Sequence, residues 1–498
     1  MYCRSLFLVA LFCSSTPLHA DSIDVPQGDL AALRQAIIDA NDAPPGSETQ
    51  IYAHGKYVFG PGDELPPISG RVTIGHGLNT VFAAQDKGPR RLILVEEGGF
   101  LRLSDIEIRG FHPESYDVPE SIRGFIEVRG ELAMHRVQFR SVHNANSCTA
   151  PLGLRCANPR AILFAHESAR IDISRVSFID TGTTILNITG GGGLLENHGI
   201  ANFSTSQLRL TDIPIGWVAP FVNAGELNIL NSSFLMLNAG AELPTPTQFL
   251  YTKGSAQTTF ANSVVDGFSG EWCASAMSLG HNLVDAESCD WSADGDLTGV
   301  RAGLIWRPVK STGWFVSHAL VPSAASAAVD SADPALCPEL SLTGRRFARD
   351  GDGDGLAICD RGAMELEPIG LGEGGINGFY YNPQDDGHYV YIQQTDFTTL
   401  VMWNTFDADG NHVWVYGTGQ LVNGRSVIAN AYINRSAGFS PMGIVTDVEA
   451  EPWGRLEVDM ESCTKGAVAY YSNLPEFGSG QFPVERLAYV KQLGCIDQ

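Results

Sequence analysis

A pattern of hydrophobic positions recurs along the middle of the chain: apolar, any, apolar, any, any, apolar, any, apolar. Each copy alternates on both sides of a two-residue break, which is typical of two short strands that meet at a corner. The copies are Leu101, Leu103, Ile106 and Ile108; Leu132, Met134, Val137 and Phe139; Ile171, Ile173, Val176 and Phe178; Leu208, Leu210, Ile213 and Ile215; Leu227, Ile229, Ser232 and Phe234; Thr258, Phe260, Ser263 and Val265.

A further short apolar run precedes each copy. The six runs are RLILVEEG, GFIEVRGE, AILFAHES, GIANFSTS, PFVNAGE and QFLYTKGS. Three-strand units that stack on one another form a parallel β-helix, in which each strand hydrogen-bonds to its counterpart about 4.8 Å away in the next coil. The pattern therefore predicts an all-β protein containing a right-handed parallel β-helix. The alternative is an antiparallel β-sandwich, whose two-residue turns are scarce in this sequence.

The two flanks of the repeats have different patterns. GDLAALRQAIIDAN, at residues 28–41, spaces its apolar residues for one face of a helix, which we expect to cover the end of the repeat core. Residues 376–498 lack the repeat but hold 18 of the 46 aromatic residues, and their short alternating segments predict a small antiparallel β-domain. We therefore expect a β-helix with its capping helix at 21–367, a linker at 368–375 and an aromatic-rich β-domain at 376–498.

The N-terminus has the layout of a secretory signal peptide. Arg4 precedes an apolar stretch from Leu6 to Phe12, and small residues lead to a cleavage point after Ala20. Lipidation at Cys13 is the alternative, but Phe12 is bulkier than the small residue that this processing needs. We therefore expect residues 1–20 to be removed and the protein to be secreted, periplasmic or on the cell surface. No later segment has the apolar length of a membrane-spanning helix.

Cysteine usage and charge fit an exported protein. Eight cysteines follow the signal peptide and fall into four close pairs, so we expect local disulfides, with free buried thiols as the alternative. The pairs are Cys148–Cys156, Cys273–Cys289, Cys337–Cys359 and Cys463–Cys495. The formal charge of −24 disfavours a nucleic acid or an anionic membrane as a partner, and favours cation binding.

An acidic turn, RDGDGDGLAICD at residues 349–360, concentrates much of this charge. Asp350, Asp352 and Asp354 alternate as the first ligands of a calcium loop do, and Gly355 stands where that loop turns sharply. The bidentate acid expected at the twelfth position is absent, and Asp360 is the nearest carboxylate. We expect a structural calcium ion here, with a solvated acidic turn as the alternative.

The two ends of the repeat region resemble a large group of secreted bacterial right-handed β-helix proteins. These proteins begin with an LREAI..AN helix and end with a DGDGDG…CD.GA.E tail. This chain carries LRQAI at residues 33–37 with Asn41, and the tail at residues 350–365. The resemblance spans roughly residues 25–367. It implies the fold and export, but no activity, because most of the group is uncharacterised.

The last domain is similar to a module of secreted proteobacterial proteins with a G.YYNP…G and W.T.D..G…W pattern. The matching residues are Gly378, Tyr380, Tyr381, Asn382, Pro383, Gly387, Trp403, Asp407, Gly410 and Trp414. Trp403 and Trp414 on facing strands suggest a sugar-stacking platform as the ligand-binding site. Core packing is the alternative role for these two side chains.

No complete catalytic motif is present. The sequence lacks H-E-x-x-H, G-x-S-x-G and a Walker loop, and Gly75-His76-Gly77 occurs without the paired aspartates of polygalacturonases. A set of outward acids and arginines suggests a lyase groove, although solvated strand positions are the simpler interpretation. The set is Asp105, Glu107, Asp172, Asp180, Arg109, Arg136 and Arg175.

We therefore expect an exported non-catalytic protein that binds polysaccharide or a cell-surface partner. The alternatives are a polysaccharide lyase or glycoside hydrolase, and a purely structural envelope protein.

Overall fold

The structure is a computed structural model. It describes residues 21–112, 122–146, 161–180, 182–185, 193–211, 219–237, 248–268, 272–309, 311, 316–348, 351, 356–366, 376–394, 398–422, 426–435 and 449–489. These residues are mostly β-strands, with one α-helix among them, α1 (Leu30–Asn41), and two 3-10 turns, Trp272–Ser275 and Pro334–Leu336.

Twenty-seven strands are described before residue 323. They are β1 (Asp21–Asp24), β2 (Glu48–Tyr52), β3 (Lys56–Phe59), β4 (Arg71–Ala84), β5 (Ile93–Val95), β6 (Phe100–Arg109), β7 (Gly124–Val128), β8 (Glu131–Arg140), β9 (His143–Asn146), β10 (Ala161–Ala165), β11 (Arg170–Ser174), β12 (Ser177–Ile179), β13 (Gly182–Ile185), β14 (Leu195–Asn197), β15 (Ile200–Ser204), β16 (Gln207–Thr211), β17 (Phe221–Asn223), β18 (Glu226–Leu230), β19 (Ser233–Leu237), β20 (Leu250–Thr252), β21 (Gln257–Ala261), β22 (Val264–Asp266), β23 (Met277–Ser278), β24 (Leu283–Val284), β25 (Leu297–Thr298), β26 (Leu304–Pro308) and β27 (His318–Pro322).

Most of these strands belong to three parallel ladders. The first ladder runs from β1 and β2 through the first halves of β4, β6 and β8 to β11, β15, β18, β21 and β23. The second runs from β3 through the second halves of β4, β6 and β8 to β12, β16, β19, β22, β24 and β25. The third contains β5, β7, β10, β14, β17 and β20. The short strands β9 and β13 form a separate parallel pair.

A residue in the left-handed backbone region stands at the corner between the first and second ladders in successive units. These residues have φ between 46° and 58° and are Asp105, Arg136, Arg175, Thr205, Asn231 and Asn262. Apolar side chains on either side of the corner point into one continuous core and stack from unit to unit, as Phe139 and Phe178 do with ring centroids 4.9 Å apart. The structure thus confirms two strands meeting at a corner for five of the six predicted copies.

The fourth predicted copy is in the wrong register. Leu208 and Leu210 lie in β16, a second-ladder strand, and the other two predicted positions, 213 and 215, lie outside the described residues. The corner of this unit is Thr205, so the segment GIANFSTS contains the first-ladder strand β15. The third-ladder strand that precedes it is β14, not GIANFSTS. The residue that follows this corner, Ser206, is buried, as are Ser232 and Ser263 at the same position of the next two units.

Helix α1 packs its apolar face into the same core. Asp29 caps the helix by accepting from the Ala32 amide at 2.9 Å, and the buried side chains of Leu33 and Ile37 belong to the ladder core. The periodicity of this segment therefore predicted both the helix and its buried face.

The segment after the acidic turn lies against the second ladder. Asp360 is fully buried and accepts from the Asp330 and Leu366 amides at 2.8 and 2.6 Å. Gly362 has φ 102°, and its amide donates to the Asn262 carbonyl, so this tail closely approaches the ladder corner. Asp350, Asp352 and Asp354 lie outside the described residues.

Among the described residues, the structure confirms two of the four predicted disulfides, Cys273–Cys289 and Cys337–Cys359. Cys463 is also disulfide-bonded. The other predicted members, Cys148, Cys156 and Cys495, lie outside the described residues, so their pairing stays a prediction.

A closed antiparallel barrel follows at the C-terminal end, where the aromatic-rich β-domain was predicted. Its strands are β28 (Gly378–Tyr381), β29 (Tyr389–Gln394), β30 (Thr399–Phe406), β31 (His412–Val422), β32 (Ser426–Arg435), β33 (Glu449–Met460), β34 (Lys465–Ser472) and β35 (Ser479–Tyr489). The antiparallel hairpin β26–β27 contacts the barrel, with the Arg307 guanidinium 2.5 Å from the Asp459 carboxylate. Among the described residues, no helix is both long enough and apolar enough to cross a membrane.

Candidate functional site

The two tryptophans predicted to form a sugar platform lie on opposite faces of the barrel wall. Trp403 in β30 pairs with Val415, whereas Trp414 in β31 pairs with Asn404, so their side chains alternate in and out. Trp403 is 4% exposed and its ring lies 4.8 Å from that of Tyr470, whereas Trp414 is 55% exposed. The two rings therefore do not form a shared platform, and Trp403 has the alternative role of core packing.

Trp414 lines a cleft of about 700 Å³ beside the turn at residues 407–411 of the barrel. Its indole Nε1 donates to His412 Nδ1 at 3.1 Å, which fixes the orientation of the ring. Polar and apolar side chains both line the cleft, so it combines an aromatic ring with hydrogen-bonding groups. The cleft is lined by Asp407, Ala408, Asp409, Asn411, His412, Val413, Trp414, Ile433, Asn434, Glu476 and Phe477.

Two tyrosines extend this aromatic surface beyond the cleft. Tyr416 lies two residues after Trp414 on the same outward face of β31, roughly 7 Å further along the strand. It pairs across the sheet with Tyr432, which is 39% exposed, and the two ring centroids are 6.4 Å apart. The Tyr416 hydroxyl donates to Asn434 Oδ1 at 2.7 Å. We call Trp414, Tyr416 and Tyr432 the aromatic strip.

The acids and arginines predicted to line a groove on the ladders do not form one group in the structure. Asp105 and Arg136 come together at the corner, with 2.5 Å between Asp105 Oδ2 and Arg136 Nη2, and Arg175 occupies the corner of the next unit. The remaining four belong to separate ion pairs. Glu107 pairs with Arg109 at 3.5 Å, Asp180 pairs with Arg209 at 3.5 Å, and Asp172 pairs with Arg170 at 2.8 Å.

A buried group of acids lies between the ladders and the barrel, and sequence analysis missed it. Asp285 borders a cavity of about 350 Å³ that Arg301 and Tyr471 also line. Burial, followed by the adjacent carboxylate of Asp266, raises the pKa of Asp285 to about 8. Burial also raises the pKa of Glu457, on barrel strand β33, to about 7. Asp266, Asp285 and Glu457 are far apart in the sequence, so only the fold brings them together.

The predicted metal site is described in part. Asp360, the fourth predicted ligand, is buried and holds two backbone amides, and burial beside Glu365 raises its pKa well above the ordinary value. Within the ranges that the structure describes, no group of three or more acids, histidines or cysteines has the geometry to hold a metal ion.

Comparison with known proteins gives no assignment: no family model, no curated protein and no solved structure matches this chain.

Proposed function

We propose that this protein is an exported, non-catalytic glycan-binding protein whose barrel holds sugar on the aromatic strip. One observation carries the proposal: Trp414 is a large aromatic side chain, 55% exposed, fixed by a hydrogen bond and bordered by polar groups. The C–H face of a sugar ring packs on such an indole, and its hydroxyl groups bond to the surrounding side chains. The open surface favours weak binding, with Kd from ~10 µM to millimolar.

The ladders supply an elongated scaffold in this proposal. We propose that the three ladders are the three faces of a right-handed parallel β-helix. Support comes from the repeated order of a third-ladder, first-ladder and second-ladder strand along the chain, and from the right-handed rule for crossovers between parallel strands. Helix α1 then covers one end, and the tail around Asp360 closes the other.

Export is part of the same proposal. The signal-like N-terminus, the resemblance to secreted bacterial β-helix proteins and the two disulfides all favour an oxidising compartment outside the cytoplasm. The net charge of −24 disfavours a nucleic acid as the ligand, and leaves polysaccharide or a cell-surface glycan as the preferred partner.

A glycan array followed by calorimetry tests the binding function. We expect Trp414→Ala to weaken binding by tenfold or more, about 1.4 kcal/mol, because the stacking surface is lost. Phe379→Ala is the matched control, because Phe379 is also an exposed aromatic of the barrel but lies on β28. Retention of full affinity by Trp414→Ala, or equal losses in both variants, contradicts the proposal.

A hydrolase is the second candidate, favoured by the raised pKa of Asp285 beside its cavity. A carboxyl group that stays protonated near neutral pH has the property that a general acid needs. This candidate predicts release of reducing sugars from a polysaccharide panel, abolished by Asp285→Asn. Absence of release by the wild-type protein leaves the non-catalytic proposal in place.

A further inference from the structure

Two arginines and one aspartate stack at the corner between the first and second ladders. Asp105, Arg136 and Arg175 occupy the same left-handed corner position in three successive units. Strand pairing places Ser104 beside His135 and His135 beside Ser174, so Arg136 lies between the other two corner residues. The corner therefore carries two positive charges and one negative charge on adjacent rungs.

The carboxylate of Asp105 pairs with Arg136 and not with Arg175. Arg136 Nη2 is 2.5 Å from Asp105 Oδ2, and His76 Nδ1 is 3.5 Å from the same oxygen. Arg175 is 8% exposed, and its Nε and Nη2 atoms are buried without a hydrogen-bond partner. Burial, followed by the charge of Arg136, lowers the pKa of Arg175. Asp105, whose Oδ1 is also buried without a hydrogen-bond partner, opposes this shift only in part. A buried cation without a hydrogen-bonded acid is costly, so an added anion is favoured beside Arg175.

A cleft of about 290 Å³ lies next to this corner. It is lined by His76, Arg102, Ser104, Ala133, Met134, His135, Asp172 and Ser174. Arg102 is an exposed first-ladder residue and is the arginine that lines the cleft. The corner residues Arg136 and Arg175 do not line it, but their charges act on the lining residue His135. The carboxylate of Asp172 is already held by Arg170 at 2.8 Å and by the Asn202 amide at 2.6 Å.

The pKa of His135 responds to the charges around the cleft. Burial, then Arg175 and Arg136, lowers its pKa to about 4, with Arg102 adding to the effect and Asp105 opposing it. The ring is therefore neutral at neutral pH, and its Nδ1 lies 2.8 Å from Ser174 Oγ. Arg175, Arg136 and Arg102 all act on this cleft residue with positive charge, and positive charge at the cleft attracts an anion.

We propose that this cleft binds an oxyanion carried by an acidic sugar, either a uronate carboxylate or a sulfate ester. Arginine matches both groups, because its planar guanidinium donates paired hydrogen bonds to two oxygens. The local excess of positive charge stands out on a chain with a net charge of −24. The sugar part rests on the proposed glycan-binding function, whereas the anion part stands on the corner geometry alone.

Histidine NMR tests the site on the whole mature protein. The His135 ring signals, assigned by their loss in His135→Gln, are followed while inorganic sulfate, D-glucuronate, a sulfated monosaccharide or D-glucose is added. We expect saturable shifts with the anionic ligands at about 10 mM or below and none with glucose. The pKa of His135 rises when an anion is bound, because the anion offsets the arginine field.

Two variants and a control decide whether the arginines are responsible. Arg102→Gln should weaken binding at least fivefold, and because its side chain is exposed this variant should fold normally. Arg175→Met should weaken binding further. Arg129→Gln removes the same charge from the third-ladder face, where Arg129 pairs with Glu127 at 3.3 Å, and should leave binding unchanged.

Each outcome has a defined meaning. The absence of a saturable shift with every anion overturns the proposal, as does equal affinity in Arg102→Gln and wild type. Saturation by sulfate and the sulfated sugar but not by glucuronate assigns the site to sulfate esters, and the reverse assigns it to uronates. Persistence of these shifts in Trp414→Ala separates this site from the aromatic strip.

Discussion

At the residue scale, buried serines decide how three successive units join. Ser206, Ser232 and Ser263 each follow a left-handed corner residue, and each is at most 1% exposed. Their hydroxyl oxygens accept from backbone amides of the preceding unit, at 3.0, 3.3 and 3.2 Å. These bonds satisfy the polar side chains inside an otherwise apolar core, so serine is tolerated where other copies have isoleucine or valine.

Replacing one of these serines should therefore be costly. Ser206→Ala leaves the buried Val176 amide without its acceptor, and we expect a loss of about 1–3 kcal/mol in the free energy of unfolding. Ser168→Ala removes an exposed hydroxyl and should change stability by no more than about 0.5 kcal/mol. Calorimetric melting of both variants measures the difference, and equal melting temperatures would show that the serine stack does not stabilise the fold.

At the element scale, strand β26 of the hairpin β26–β27 packs against barrel strands β34 and β35. Gln481 bonds both to the Trp306 amide at 2.6 Å and to the Leu304 carbonyl at 2.5 Å. The buried acids Asp285 and Glu457 lie close to this junction, on the ladder side and the barrel side respectively. The contact between the elements should therefore respond to pH.

Stability should fall as the pH rises. Both carboxyl groups have a folded-state pKa raised above the unfolded value, to about 8 for Asp285 and about 7 for Glu457. Between about pH 4 and these values the folded protein retains protons that the unfolded chain has released, so each proton lowers stability by about 1.4 kcal/mol per pH unit. The loss ends once the pH exceeds the folded-state pKa.

Melting temperatures between pH 5 and 9 check this dependence, and Asp285→Asn should reduce its slope, because the amide does not ionise whereas Glu457 and Asp360 still do. Asp409→Asn, an exposed substitution on the barrel, should retain the wild-type slope. A wild-type curve that rises from pH 5 to 8 contradicts the assignment. The charged and titratable groups that face the two carboxyls are Asp266, Asp459, Tyr471, Arg301 and Arg455.

At the scale of the whole molecule, the tail after the acidic turn fastens the chain to the second ladder. The Cys337–Cys359 disulfide closes a 22-residue separation that contains the turn. Arg361 donates to the Asn282 and Ser331 carbonyls at 3.0 and 3.1 Å, and the Ala363 amide donates to Ser233 Oγ at 2.9 Å. The order of this tail should therefore influence the stability of the entire ladder region.

We expect calcium to stabilise this closure. Chelation should lower the melting temperature of the mature protein, because a bound ion offsets the repulsion among Asp350, Asp352 and Asp354. The double variant Asp352→Ala and Asp354→Ala should lose most of the response to chelation. Asp409→Ala, in an acidic turn of the barrel, should keep it. A melting temperature that chelation does not change leaves the solvated acidic turn as the interpretation.

The sequence by itself determined the elements whose pattern is local and repeated. Alternating apolar residues on both sides of a corner predicted five units, and the 3.6-residue period of residues 28–41 predicted helix α1. Close spacing of cysteines predicted the two described disulfides. Such signals can be recognised in the sequence because each depends on neighbours within a few tens of residues.

The tertiary structure alone decided which distant side chains share an environment. Trp403 and Trp414 have the same chemistry in the sequence, and only strand pairing puts one in the core and the other on the surface. The sequence does not mark Arg175 as unusual. The stacking of units places it next to the corner residue Arg136, and its Nε and Nη2 atoms are buried without a hydrogen-bond partner. Burial and charge contacts depend on which strands pair, and the residues that meet are often tens of residues apart, as Asp105 and Arg136 are. A linear pattern does not record those distances.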